Sequence, residues 1–343
     1  MDTARPESGD IAVAAPGNAG TPAPAKRRRP APLTQLPSRY SIIVVWAALI
    51  LFYSLTEPSF LHVTTFQAIF NSQEHLVFMT MALLCTITIG EFVDLSVPAV
   101  FGFAGTIMPV LVVNHGWNVW LGSLAAILCA TAVGAVNAFL IVKMHVNTIV
   151  VTLGMSTLLL GISLLISNDN TVSGVPASFQ SIATKDVGGL PISFYYGVVL
   201  VLVFAYILAC TPLGRHMRFV GASREVSRLS GVRVDRIRFG SFVFAGLISG
   251  VGAIITVAFV GSFNASSASQ YLLPVFAAVF LGTAIFEPGR FNPLGTFVGI
   301  YFLETGVLGL QLHSAAVWIE PVFYGAVLVV AVTISTVLHR RVK

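Results

Sequence analysis

The sequence predicts an all-α polytopic membrane protein of about ten transmembrane helices, some of them broken or re-entrant, and three observations carry that reading. Of the 343 residues, 56% are hydrophobic and only 10% are charged, whereas an ordinary soluble domain carries about 25% charged residues. Too few charges remain to cover a water-facing surface, and a mean hydropathy of +0.87 agrees. Apolar runs recur along the chain near the length, about 20 residues, needed to cross the hydrocarbon layer as a helix. Those runs do not alternate, as the roughly 10-residue strands of a membrane β-barrel would.

Taken in order, residues 1–39 stand apart. They are rich in Ala, Pro and Gly and close on Lys26-Arg27-Arg28-Arg29-Pro30, a composition that cannot bury a core and is expected to be a disordered basic tail. The first apolar run begins only at about Ser41, and Tyr53-Ser54-Leu55-Thr56-Glu57-Pro58 is a poor cleavage site. That run is therefore expected to be a retained helix rather than a signal peptide. Residues 40–338 form the transmembrane domain, with spans over about 41–56, 70–90, 95–113, 118–141, 148–167, 193–211, 239–261, 271–286, 293–311 and 318–338. Gly90, Pro98 and Pro274 interrupt or crowd the second, third and eighth, which makes these the candidates for broken helices packed inside the bundle. Residues 339–343 are a basic C-terminus.

Charge sidedness tests this topology. If the basic tail lies in the cytoplasm and the spans alternate, eighteen of the nineteen Lys and Arg fall on the cytoplasmic side and only Lys185 falls outside. Both termini are then cytoplasmic, as expected for a bacterial inner-membrane protein. The net charge of +5 is thereby explained without nucleic acid, since a nucleic-acid binder gathers its charge on one soluble face. Cys85, Cys129 and Cys210 each lie in an apolar run without metal-binding spacing, and read as small apolar packing residues.

Seven arginines fall in one cytoplasmic loop, 212–238. Within it Ser223 can cap a short helix that Gly231 ends. Val226 and Leu229 share one face of that helix, and Glu225 and Arg228 are spaced to pair. A purely topogenic loop needs neither caps nor an apolar stripe, so a docking helix is expected. Charged groups inside spans are costly and default to functional candidates: Glu74 in the outer part of the second span beside His75, Asp94 with Glu91 near the inner ends of the second and third, and Glu304 near the middle of the ninth. Asp94 could instead cap the helix beginning at Leu95. Gly246-x-x-x-Gly250, with Gly252, and Gly295-x-x-x-Gly299 are expected to let helices approach closely. A weak internal echo links 76–105 with 272–299, each running from an apolar stretch through an acidic turn into a Gly-bearing helix. The outer loop 168–190 is long enough to meet an external partner.

The loop segment Val220-Gly-Ala-Ser-Arg-Glu-Val-Ser-Arg-Leu-Ser-Gly-Val-Arg-Val-Asp-Arg-Ile237 resembles the coupling region of ABC sugar importer permeases of the ribose, xylose and autoinducer group. Glu91-Phe-Val-Asp94-Leu95-Ser96-Val97 is similar to that family's Gly-Gly-Ile-Asp-Leu-Ser-Val signature. Val151-Thr-Leu-Gly is similar to its Val-Thr-Leu-Gly stretch, and Leu281-Gly-Thr283, Gly289-Arg290 and Leu294-Gly-Thr296 to its Gly-Gly-Thr, Gly-Gly-Arg-Gly and Gly-Thr run. The matches keep their order over about 41–338. The resemblance implies a type II importer-like bundle that works as a dimer, with a second copy or a close paralogue. It also implies separate ABC ATPase subunits, which use ATP and Mg, and a periplasmic sugar-binding protein. The chain itself would bind no cofactor or metal and would perform no enzymatic step. None of its four lysines follows a glycine, as a phosphate-binding Walker loop requires. Gly221, Arg224, Glu225, Arg228, Leu229, Ser230 and Gly231 would seat in the ATPase, and Glu74, Asp94 and Glu304 are the pathway candidates. The departures from the family pattern are Glu91-Phe92 before Asp94, Phe286-Glu287-Pro288 before Gly289, the charge at Glu304, and Val307-Leu308 in place of an Asn pair.

Two other readings are open. An ion- or proton-coupled secondary transporter would use Glu74, Asp94 and Glu304 as coupling groups and would not require the arginine-rich loop. An intramembrane enzyme would require a His-Glu-x-x-His or Gly-x-Ser-x-Gly constellation, and the sequence has neither.

Overall fold

The computed structural model describes residues 41–71, 73–313, 316 and 318–342, with side chains over 42–333 of that set. The basic tail 1–39 lies outside the described residues. The apolar runs are helices: α1 (Ser41–Thr56), α2 (Val63–Asn71), α3 (Glu74–Ile87), α4 (Val97–Pro109), α5 (Val119–Ala138), α6 (Thr148–Ser167), the short α7 (Ala177–Thr184), and α8 (Ile192–Cys210). They continue as α9 (Pro212–Ala222), α10 (Arg224–Leu229), α11 (Val234–Val260), α12 (Leu272–Gly282), α13 (Pro293–Leu312) and α14 (Ile319–Val342). Helix is the expected outcome, because a spanning segment has to bond its own backbone.

Side chains of the expected kind mark the helix starts. Asn118 and Asn147 accept from the backbone N–H of Trp120 and Ile149, each at 2.9 Å, and Asn292 from that of Gly295. At the other ends, Asn168 closes α6 and Gly261 closes α11 in the left-handed conformation, with φ of 51° and 76°. Pro109, which has no N–H to donate, is followed by a π-turn over Val110–Asn114, so α4 ends in a widened turn.

Among the described residues, seven helices are long and apolar enough to cross a membrane: 97–114, 119–143, 148–167, 192–210, 234–260, 265–282 and 293–312. The remaining three sequence-predicted ranges hold shorter apolar helices. These are α1, the 319–333 part of α14, and α3, which is 14 residues long because the chain leaves the helix after Asn71 and re-enters it at Glu74. The chain is thus a multi-pass helical membrane protein.

The core is built around α3. Residues 76–89 are buried without interruption, the mark of a helix enclosed on every side. It is enclosed by α4, α8, α11, α12 and α13. By contrast, α6 and α8 present Val150, Leu153, Leu158, Leu165, Val199, Leu202 and Val203 outward, as helices facing lipid do. The most extensive helix contact among the described residues is that of α11 with α5. A Cβ on Gly246 would run into the Ala130 carbonyl, and one on Gly134 into that of Phe242. The small residues let the two backbones meet directly, which is how helices gain packing energy where lipid removes the hydrophobic driving force. On the opposite side, Gly252 of α11 sits against the Phe78 ring of α3.

Segment 168–190 folds down on the bundle: Val172 and Ser173 pair antiparallel with Phe263 and Ser262, and Asp186–Val187 pairs with Leu190–Pro191. At α13, the Trp46 indole donates to Thr305 at 3.0 Å and the Tyr53 hydroxyl to the Gly306 carbonyl, fastening α1.

Gly246→Leu should therefore cost folded protein more than about 1–3 kcal/mol, the usual range for overpacking. Gly161→Leu should be near neutral, since nothing lies within 4 Å of a Cβ there. Thermal unfolding of the two detergent-purified variants checks this; equal melting temperatures would refute the close α5–α11 contact.

Candidate functional site

The arginine-rich segment is not a free loop. Thr211 caps α9 by accepting from Gly214 at 3.2 Å, and Gly214, Met217 and Val220 bury one side of that helix. The sequence reading placed no helix there. It placed the next one: α10 begins after Ser223, whose hydroxyl accepts from Val226 at 3.4 Å, and is followed by Gly231 at φ 80°. The expected partner of Arg228 is different. Its guanidinium lies 3.2 Å from Asp235, in the first turn of α11, rather than on Glu225. Glu225 is exposed, and the Ser230 hydroxyl donates back to the Val226 carbonyl at 2.9 Å. Val226 and Leu229 are exposed, Leu229 by 89%, so the helix ends in an uncovered apolar tip.

The other side of this segment is fastened to the bundle. Between α3 and α4 the chain turns irregularly through Thr88–Ser96, with Gly90 at φ 83°. A Cβ at Gly221 would strike the Thr88 carbonyl, and one at Gly90 would press on Gly221, so α9 and this turn meet backbone to backbone. Next to that contact, Glu91 is only 5% exposed. Its Oε1 accepts from Arg224 Nη2 at 2.8 Å and from Arg238 Nε at 2.9 Å, while Oε2 accepts from the Thr148 hydroxyl at 2.7 Å. Arg224 also donates to the Gly90 carbonyl at 3.2 Å. One carboxylate thus joins α10, α11, the start of α6 and the α3–α4 turn. Sequence reasoning named Glu91 as a departure from the family pattern but did not pick out Arg238 or Thr148. They lie 147 and 57 residues away, and no local spacing announces them.

Asp94 is 1% exposed and its Oδ1 accepts from both the backbone N–H (3.1 Å) and the hydroxyl (2.6 Å) of Ser96. Asn137 of α5 donates to that hydroxyl in turn, at 3.0 Å. Helix α4 starts at Val97, two residues later than the cap at Asp94 would place it, and Asp94 orders the turn that leads in. Glu74 is buried at the start of α3, and its Oε2 has no hydrogen-bond partner among the described residues. Glu304 is half-buried on α13. Asp94 thus lies in the α3–α4 turn, Glu74 at the start of α3 and Glu304 on α13, and among the described residues no group of three or more His, Cys, Asp or Glu could hold a metal ion.

A cleft of about 440 Å³ opens beside the arginine-rich segment. Thr88 and Phe92 line it from the α3–α4 turn, Arg218 and Gly221 from α9, and Gly289 and Phe291 from the α12–α13 turn. Arg218 lies 3.6 Å from Glu287 of that second turn.

Over residues 68–332 the chain matches the model of the branched-chain amino acid transport system / permease component family. The match covers most of the sequence, including both turns and the arginine-rich segment. The chain belongs to this permease family. Its relatives include the L-arabinose ABC transporter permease protein AraH of Azospirillum brasilense, 27% identical over 87% of each chain. The Autoinducer 2 import system permease proteins LsrD of Escherichia coli and Shigella flexneri are 29% identical over 80% of this chain and 85% of theirs. No solved structure matches it. The family bears out the resemblance read from the sequence motifs.

Proposed function

We propose that this permease is the membrane subunit of an ATP-driven importer that moves a sugar or sugar-like solute across the inner membrane. In this reading it works as a dimer, with a second copy or a close paralogue. Separate ATPase subunits on the cytoplasmic side supply the ATP and Mg chemistry, and a periplasmic binding protein delivers the solute. The observation that carries it is the shape of α10: capped, locked to the bundle on one side, and bare on the other at Val226 and Leu229. Exposed apolar side chains at a rigid tip are the anchor a protein partner needs. Charge sidedness puts that tip in the cytoplasm, where the ATPase would be, and both termini with it. About ten spans, counting the shorter apolar helices, satisfy this arrangement. The L-arabinose and autoinducer 2 names of the relatives support the solute class.

Solute would cross where the helices move apart, with no covalent step. Of the intramembrane carboxylates, Asp94 is already occupied by Ser96, whereas Glu304 is half-buried and supplies the acceptor that a sugar hydroxyl needs. We place Glu304 on the pathway.

Three outcomes test these assignments. Vesicles holding the chain with its cognate ATPase and binding protein should take up one of L-arabinose, ribose, xylose or autoinducer 2 only when ATP and both partners are present. Gradient-driven uptake by the chain alone would overturn the importer reading. Leu229→Asp should weaken co-purification of the ATPase by about tenfold or more, the scale of a lost interface anchor, without changing insertion. Glu304→Ala should lower uptake while insertion and ATPase binding persist; unchanged uptake would remove Glu304 from the pathway.

A further inference from the structure

Two of the four departures of this sequence from its family's pattern, at Glu91 and at Glu287, fall at corresponding places. Helix α3 leads through Gly90 and Glu91 into α4, and α12 leads through Glu287 and Gly289 into α13; both glycines have positive φ, 83° and 79°. These are the acidic turns of the weak internal echo. In the fold each carboxylate meets an arginine of the same segment: Glu91 meets Arg224, and Glu287 meets Arg218. The segment α9–α10 therefore straddles the two turns, which face one another across the 440 Å³ cleft.

Neither carboxylate is needed to close its own turn. Backbone bonds do that, from Gly90 to Ile87 at 3.0 Å, from Glu91 to Thr86 at 3.1 Å, and from Gly289 to Thr283 at 2.8 Å. The side chain of Glu91 is spent on other elements. Its two arginines also differ in setting. Arg238 has a side chain 10% exposed, and burial makes loss of its partner costly. Arg224 is 41% exposed, so water can replace Glu91 at its guanidinium at little cost. Arg218 is 30% exposed and only ion-paired to Glu287, at 3.6 Å, and the facing Glu287 Oε2 is covered and accepts no hydrogen bond among the described residues, so this arm is weakly held.

We propose that Glu91 and Glu287 form a two-point ionic clasp that passes movement of α9–α10 to the hinge turns before α4 and α13, and that each transport cycle opens and recloses its exposed arms at Arg224 and Arg218. The proposal rests on the permease reading. Arg238 is the fixed arm: it holds Glu91 on α11 while Arg224 lets go, so the Glu91 carboxylate is not left buried without a partner. Glu91 is a positioning residue and touches no solute. The same apolar tip docks the ATPase whether the clasp is open or closed, which separates docking from transmission.

The sequence reading seats Arg224 in the ATPase, but its guanidinium is turned onto Glu91 and the bare tip is Val226 and Leu229; the test therefore uses Arg218→Gln/Arg224→Gln, which changes only the exposed arms. A second variant, Glu91→Gln/Arg238→Gln, leaves no buried charge unpaired. In the purified chain alone, both should raise amide hydrogen exchange over 212–229 by about tenfold or more, as a local tether is lost. With the ATPase and binding protein present, ATPase co-purification should match wild type while solute moved per ATP hydrolysed falls by about tenfold, within the usual range of a coupling free energy. Unchanged exchange, or raised exchange with an unchanged solute-to-ATP ratio, overturns the clasp. Loss of ATPase co-purification in the exposed-arm variant also overturns it, since Arg224 would then act in docking. If the wild type shows no ATP-driven uptake of any panel solute, the permease reading fails, and the exchange measurement on the chain alone still decides whether the clasp exists.

Discussion

Between Thr88 and Ser96 the backbone leaves the helix against the bundle, and the polar groups it buries there depend on protein partners. An unmet buried backbone group costs several kcal/mol. The turn meets this demand in layers. Backbone bonds from Gly90 and Glu91 return to α3, Asp94 takes the N–H and hydroxyl of Ser96, and Ser96 is tied to Asn137. Thr148 and two arginines complete Glu91. Each layer recruits a further element: α3 first, then α5, then α6, α10 and α11. The positions of the arginine-rich segment and of α11 follow from having to satisfy this one irregular stretch.

Burying Glu91 is not in itself a gain in stability. Taking a carboxylate and a guanidinium out of water costs several kcal/mol per ion, and their attraction offsets this only with good geometry and further hydrogen bonds. Here the geometry is good on both sides of Oε1, and Oε2 is occupied too. An apolar pair of the same volume would hold the helices together as well. What an apolar pair lacks is direction: it does not require Arg224 to lie at one distance from the turn. The ionic arrangement ties the position of α10 to that of the turn within about 1 Å, the tolerance of a hydrogen bond. That constraint on position is the property a transmitting element needs.

The class of the protein was legible in composition, and seven of the ten span ranges in the length of the apolar runs, because lipid forces both directly. The close helix contacts at Gly246 and Gly252 were legible for a related reason: only small residues admit such an approach, and their spacing records it. The cap at Ser223 and the stop at Gly231 were also local signals. What could not be read is whatever depends on long-range pairing. Arg228 chose Asp235 over Glu225 because α11 folds back on α10, and nothing within one helical turn of Arg228 encodes that. Helix α9 was hidden because its sequence, Pro212-Leu-Gly-Arg-His-Met-Arg, is too polar to look like a span and too rich in arginine to look like anything but a topogenic loop. Glu91 was legible as a costly charge near a span end and as a mismatch with a family pattern, but its partner Arg238, 147 residues away, was not.

The placement of the carboxylates bears on how energy would enter the transport step. A proton-coupled carrier needs a buried group that can exchange its partner for a proton during the cycle. Glu91 and Asp94 are poorly suited to that, since Glu91 is held by donors from α6, α10 and α11 and Asp94 by both the N–H and the hydroxyl of Ser96, and releasing either would loosen the turn that orders the bundle. Glu74 and Glu304 have more freedom, yet they sit on α3 and α13, away from the arginine-rich segment. A mechanism driven through those two groups would leave the bare tip of α10 and the fastening of α9 to both turns without a purpose. A mechanism driven by a partner docked at that tip uses every one of these features. Under the clasp proposed above, force applied at Val226 and Leu229 would reach Gly90 through Arg224 and the α12–α13 turn through Arg218, so a single push would act on the entry to α4 and to α13 together.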